Sequence, residues 1–175
     1  MKMIHMTCPG HPDATLEGYL LDCEVAYGQY TDRPAVIVCP GGGYVYCSPR
    51  EGEPIALRYA AKGFHAFVLR YSTGFDAKDF APWKEVDWAV GLLREKAEEW
   101  HIDPGKIATC GFSAGGHLAA TASKFGASKI ALISFKGNSN SLNNKICCKR
   151  SSAVSSYILY PDSVYSVGDK SPMES

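Results

Sequence analysis

The pentapeptide Gly111-Phe112-Ser113-Ala114-Gly115 has the form G-x-S-x-G. It follows an apolar run, Lys106-Ile107-Ala108-Thr109-Cys110, and precedes an Ala-rich stretch from Ala114 to Lys124, so it reads as a turn between a strand and a helix. A serine on such a turn projects its hydroxyl above the sheet, and only small flanking residues permit the sharp bend. The helix behind it adds a partial positive charge and free N–H groups where an oxyanion would form. Ser113 is therefore the candidate nucleophile for attack on a carbonyl. The competing reading is a small-residue turn made only for packing.

A second loop fits the same chemistry. Pro40-Gly41-Gly42-Gly43 follows the short β-branched run Ala35-Val36-Ile37-Val38-Cys39. A phosphate-binding loop would need GxxxxGK[ST], or GxGxxG opening a helix, and the chain has neither at this place. Beside a nucleophilic serine, glycines let the backbone approach the scissile carbonyl and aim N–H groups at its oxygen. Gly42, Gly43 and Ala114 are the expected oxyanion donors. Arg50 and Glu51, just downstream, read as an ion pair or loop clamp rather than as catalytic groups.

The segments Val38-Cys39-Pro40-Gly41-Gly42-Gly43-Tyr44, Ser48-Pro49-Arg50-Glu51-Gly52-Glu53, Leu69-Arg70-Tyr71-Ser72 and Cys110 to Ala119 together resemble the α/β-hydrolase esterases. The branch is the hormone-sensitive-lipase and acetyl-xylan-esterase type, including the group related to bacterial feruloyl esterases. The resemblance runs from about Thr15 to about Ser123, with Pro40 where the HGGG form of the loop has histidine. It implies an α/β-hydrolase three-layer sandwich and a serine carboxylic-ester hydrolase acting on small esters, such as acetyl or other short acyl groups on a sugar, without a metal or organic cofactor. An arylformamidase-like amide hydrolase shares the same elbow, and a non-catalytic half-hydrolase is the reading from another class.

Serine catalysis also needs a histidine to take the hydroxyl proton and a carboxylate to orient it, in the chain order Ser, acid, His. After Ser113 the sequence offers only His117, and only Asp162, Asp169 and Glu174 as acids. His117 lies four residues on, along the elbow helix itself, and reads as a structural residue rather than the base. An improvised pair with Asp162 or Asp169 is the one alternative. His65 reads as a satisfied core or edge residue, and His5, His11 and His101 as surface residues. The expectation is a single domain over residues 1–175 with a family-like core over about 15–123. Residues 124–175 then form an atypical, truncated continuation, leaving the sandwich incomplete at its C-terminal side and the triad without its acid and histidine.

The positioning elements follow from periodicity. Thr15 to Asp22 reads as an edge strand, Ala35 to Cys39 as a strand covered on both faces, Ile55 to Lys62 as a helix stopped by Gly63, and Phe64 to Tyr71 as the next strand. Trp83, Val86, Val90, Leu93, Ala97 and Trp100 fall on one stripe of a long helix, and Asp103-Pro104-Gly105 turns the chain into the strand before Ser113. Ile130 to Phe135 and Ser156 to Tyr160 read as weaker strands. Such alternation builds a mostly parallel sheet with helices on both faces.

Composition sets the outer limits. Of 175 residues, 46% are apolar and 21% charged, and the 18 basic and 18 acidic side chains balance, which excludes disorder and gives no basic excess for nucleic-acid or membrane-surface binding. No apolar run is long enough for a membrane helix, and the first ten residues lack the apolar core of a signal peptide, so a cytoplasmic location is expected. Residues 1–113 hold 11 basic and 15 acidic side chains, whereas residues 114–161 hold six basic and none acidic. Scattered among Ser and Asn, those six read as a solvated surface. Seven cysteines without a CxxC pair read as reduced, mostly buried thiols rather than a zinc site or disulfide framework.

Overall fold

A computed structural model describes residues 1–123 with their side chains and, beyond them, the backbone of 124–125, Ala131–Phe135, Ile146–Cys147, Tyr157–Tyr160 and Ser163–Ser166. The polar run 137–145, Cys148, Lys149, Arg150, Asp162, Asp169 and Glu174 lie outside the described residues. The chain begins with strands β1 (Lys2–Cys8) and β2 (His11–Leu20) and a small ribbon of β3 (Glu24–Ala26) with β4 (Gln29–Tyr30). Then come β5 (Arg33–Cys39), α1 (Glu53–Ala60), β6 (His65–Arg70), α2 (Ala81–Glu95), α3 (Ala97–Trp100), β7 (Ile102–Gly111) and α4 (Ala114–Phe125). The remaining strands are β8 (Ala131–Phe135), β9 (Ile146–Cys147), and β10 (Tyr157–Tyr160) paired with β11 (Ser163–Ser166).

The main sheet has the order β1-β2-β6-β5-β7-β8-β9. Strand β5 pairs in parallel with β6 and β7, and β7 with β8, as the alternation of strands and helices requires. The unbroken apolar run of β5 is explained by its two covered faces. Ala35, Ile37 and Cys39 join Phe67, Leu69 and Ile107 under α2 and α4, while Val36 and Val38 join Ala66, Val68, Ala108 and Cys110 under α1. All five residues of β5 from Ala35 to Cys39 are fully buried. Each large side chain so enclosed contributes about 1.5–3 kcal/mol to burial.

Three expectations change. The segment from Thr15 is not an edge: β2 is paired on both sides, antiparallel to β6 and to β1, and β1 takes the edge. The sequence hides β1 because Lys2, Met3, His5 and Thr7 are exposed, Ile4 and Met6 only half-buried and Cys8 alone buried, so its alternation carries little contrast. The long helix is interrupted at Lys96 (φ −92°, ψ 9°), although Val86, Val90, Leu93 and Trp100 are all buried as the stripe required. Trp100 stacks on Phe67, with ring centroids 6.0 Å apart. Finally, Asp103-Pro104-Gly105 does not end an element but bulges within β7. The Gly105 N–H donates to Asp103 Oδ1 at 2.9 Å, and the register beside β5 jumps from Arg33–Ile102 to Ala35–Ile107.

His65 is fully buried at the start of β6, where its Nδ1 accepts the Leu21 N–H at 3.0 Å and its Nε2 lies 3.4 Å from Cys23 Sγ. Burial lowers its pKa from the ordinary imidazole value. The unfolded chain therefore takes up a proton at its ordinary pKa while the folded chain refuses it, and stability is lost as pH falls from about 6.5 toward the lowered folded value. Thermal melts between pH 8 and pH 5 are expected to show this loss, and His65→Gln is expected to flatten it. An equal slope in the variant would assign the acid sensitivity to other groups.

Candidate active site

Two loops leave neighbouring strands at the same level. Cys39, the last residue of β5, is paired with Gly111, the last of β7, and the Phe112 N–H donates to the Cys39 carbonyl at 3.3 Å. The loop from Pro40 and the turn at Ser113 thus start side by side at the C-terminal ends of parallel strands, where open α/β sheets place their sites.

Ser113 is exposed and has φ 49°, left-handed backbone that a non-glycine residue adopts only when its surroundings impose it. The flanking glycines impose it. A Cβ on Gly115 would run into the carbonyl oxygens of Cys39 and Pro40, and one on Gly111 into the backbone of Gly115 and Gly116. Helix α4 therefore starts in backbone contact with the loop. A Cβ on Gly41 would lie 3.2 Å from Ser113 Cβ and 2.7 Å from the Phe112 carbonyl oxygen, which sets the glycine loop directly beside the serine.

Of the expected donors, Ala114 is the first residue of α4, and Gly42 (φ 136°) and Gly43 (φ 63°) follow Gly41 in the loop. Glu51 is the clamp foreseen for this segment: its Oε2 accepts the Gly41 N–H at 2.9 Å, while Arg50 is exposed. The Ser48 N–H donates to Gly41 O at 2.8 Å, and the buried Tyr71 hydroxyl to Pro40 O at 2.6 Å. Burial pushes the Tyr71 phenol well above its ordinary range, which keeps it a donor.

His117 is exposed on the first turns of α4. Its backbone N–H donates to the Ser113 carbonyl at 3.0 Å, the ordinary bond of the first helical turn, and its ring Nδ1 lies 2.9 Å from the Tyr44 hydroxyl. His65 is remote from this cluster on the β6 start, and His101 stacks on Tyr30 with centroids 4.5 Å apart. Among the described residues, no group of three or more His, Cys, Asp or Glu gathers as a metal site. Of the seven cysteines, the five among residues 1–123 are free thiols; Cys8, Cys23, Cys39 and Cys110 are buried and Cys47 half-buried.

Sequence reasoning gave no role to Glu85. It is fully buried on α2, accepting the Ser72 N–H at 2.8 Å and the Ser72 hydroxyl at 2.5 Å, and His11 Nδ1 lies 3.2 Å from it. His11 is thus a partner of a buried carboxylate rather than a free surface residue. Through Ser72 the carboxylate fixes Tyr71, whose carbonyl also accepts from Cys47 Sγ at 3.6 Å. The only signal available was a Glu one position before a stripe residue, Val86. Its partners come from segments 13 and 74 residues away, which no local pattern reveals.

The family model described as BD-FAE matches residues 21–155. The solved structure of MGS-M1, an α/β hydrolase enzyme from a Medee basin deep-sea metagenome library, is 43% identical, with a TM-score of 0.73 over 77% of this chain and 56% of that one. Endo-1,4-beta-xylanase B of Butyrivibrio fibrisolvens is 37% identical over 89 residues, 49% of this chain and 14% of its own. Acetylxylan esterase of Xylanibacter ruminicola is 32% identical over 90 residues, 51% of this chain and 18% of its own. The chain thus spans about half of the solved relative and less than a fifth of the two curated ones. The three-layer architecture is that of the α/β hydrolases, and with well over half of its residues matched by the family model, the chain belongs to the BD-FAE family.

Proposed function

We propose that this chain carries the nucleophile and oxyanion loop of a serine carboxylic-ester hydrolase whose substrates are small esters, with acetyl or another short acyl group on a carbohydrate as the substrate class. The observation that carries the reading is Ser113, held at φ 49° beside Gly41 by backbone contacts of Gly111 and Gly115. The similarity to an acetylxylan esterase supports the choice of acyl and alcohol. The Ser113 hydroxyl attacks the ester carbonyl as its proton passes to a base. The carbonyl oxygen becomes an oxyanion held by the N–H groups of Gly42, Gly43 and Ala114, the alcohol leaves with a proton, and water releases the acid from the acyl-serine. Nothing in these steps calls for a metal or an organic cofactor. The free thiols among the described residues suit a reducing compartment, the cytosol.

Diethyl p-nitrophenyl phosphate reports on this assembly directly, since Ser113 would displace p-nitrophenol and retain one diethylphosphoryl group. Intact-mass analysis and peptide mapping are expected to show a single adduct on Ser113 and none in Ser113→Ala. Labelling is run at alkaline pH, where a serine without an opposed imidazole still ionises in part; an adduct elsewhere, or none even there, defeats the assignment. Turnover of an N-formyl amide faster than p-nitrophenyl acetate would move the reading to an amide hydrolase.

A further inference from the structure

The glycine loop is fastened unevenly. Its upstream end has three anchors at residues 40 and 41, from Glu51, Ser48 and Tyr71. Gly42 comes next, its carbonyl accepting the Val45 N–H at 3.0 Å and the Tyr46 N–H at 3.4 Å, so the Gly42–Gly43 peptide is held from the two residues that follow Tyr44, while a Cβ at Gly43 itself would meet nothing. Tyr44, within that stretch, is fixed in turn. Its carbonyl accepts the Gly74 N–H at 2.7 Å, its ring sits edge-on to Tyr71 at 5.8 Å, and its hydroxyl meets His117 Nδ1. The Gly43 N–H is thus aimed through a tight turn that runs from Gly42 to Tyr46 and has Tyr44 at its middle.

Two independent observations single out Tyr44. Its backbone is left-handed, φ 61°, which costs a bulky residue on the order of 1–2 kcal/mol and persists only where surroundings impose it. Its hydroxyl binds the helix that begins just after Ser113, one turn beyond the serine, through the ring of His117.

We propose that Tyr44 is a positioning residue which, clasped through its hydroxyl by His117 Nδ1, keeps the Gly42 and Gly43 N–H groups aimed over Ser113, so that His117 acts as the acceptor of a loop clasp and not as the proton-transfer base. This rests on the reading of Ser113 as nucleophile. Burial raises the Tyr44 phenol above its ordinary range, so it remains a donor at neutral pH. In the tautomer with its proton on Nε2, an imidazole accepts at Nδ1. Among the described residues the His117 ring is oriented by a phenol on the loop and not by a carboxylate, the group that stabilises the positive charge of a serine base.

The test is the rate of Ser113 phosphorylation by diethyl p-nitrophenyl phosphate in the wild-type chain, Tyr44→Phe, His117→Ala, His117→Asn and the double variant Tyr44→Phe/His117→Ala. Misaimed donors are expected to slow both single deletions about tenfold, less than the roughly 10²–10³ lost with a whole donor. The double variant should be no slower than either, because one contact is being removed twice. His117→Asn, whose Oδ1 can stand where Nδ1 does, should return the rate to within about threefold of wild type. If His117 were the base, Tyr44→Phe would react at the wild-type rate and His117→Asn would be as slow as His117→Ala; either result overturns the clasp. Should wild-type Ser113 fail to react at alkaline pH as well, the hydrolase reading falls, and the clasp is read from amide exchange instead. The Val45 N–H, bonded to Gly42 O at 3.0 Å, is then expected to exchange about tenfold faster in Tyr44→Phe and His117→Ala but not in His117→Asn. Unchanged exchange refutes it.

Discussion

Assayed by itself, a polypeptide of these 175 residues is expected to hydrolyse p-nitrophenyl acetate roughly 10⁴-fold or more below the ~1 to 10³ s⁻¹ of ordinary enzymes. No histidine follows His117 in the sequence, and His117 has its Nδ1 engaged by the Tyr44 phenol. Without an imidazole opposed to the hydroxyl, Ser113 keeps its proton near neutral pH. What remains is the residual ~10³–10⁴ over water that an oxyanion site and binding supply when triad members are removed. A carboxylate is no replacement, since its reference pKa near 4 makes it a weak base at pH 7. The purified chain should be compared with Ser113→Ala and His117→Ala. Turnover in the ordinary range, lost in Ser113→Ala, would show that a base acts here after all, and loss in His117→Ala would name it.

The second large effect is structural. Gly115→Ala drives a methyl group into the Cys39 and Pro40 carbonyl oxygens, and Gly111→Ala drives one into the Gly115 and Gly116 backbone. Backbone cannot step aside as a flexible side chain can, so helix, strand end or loop must move. Each substitution is expected to cost about 3 kcal/mol, the upper part of the overpacking range, and to lower Tm by about 6–12 °C. Each should also abolish labelling of Ser113. The control is Gly91→Ala, on the exposed face of α2 with open space around it, expected to stabilise by about 0.5–1 kcal/mol through helix propensity. If Gly115→Ala melts and labels as the wild type does, the elbow is not set by this contact.

Those two glycines also show what a sequence can disclose. G-x-S-x-G between an apolar run and an Ala-rich run announces strand, turn and helix, because each of its requirements is local: small residues, β-branched or apolar neighbours, helix formers. The covered strand β5 was legible for the same reason, since burial on two faces leaves no polar position in Ala35 to Cys39. Strand β1 was not, because its place is decided by a register with β2 that its own mixed side chains hardly mark. The break at Lys96 escaped a stripe that continues through it to Trp100. Glu85 and Tyr44 escaped for a different reason. A buried carboxylate and a left-handed tyrosine are defined by partners far away in the chain, and nothing beside them in sequence distinguishes them from solvated residues.

The order in which the central strands are laid down has its own consequence. Ala35 of β5 pairs with Ile107 of β7, which leaves the ribosome roughly 70 residues later, an interval of about 4–14 s at ~5–20 residues per second. Strand β6 arrives sooner and covers the other side of β5. Throughout that interval β5 keeps one long edge open, carrying the β-branched residues Val36, Ile37 and Val38, the kind of segment that recruits neighbouring nascent chains. The turn holding Ser113 hangs from β7, so the serine joins a glycine loop that was synthesised seconds earlier, and a chain stalled before residue 102 displays that loop with no nucleophile beside it.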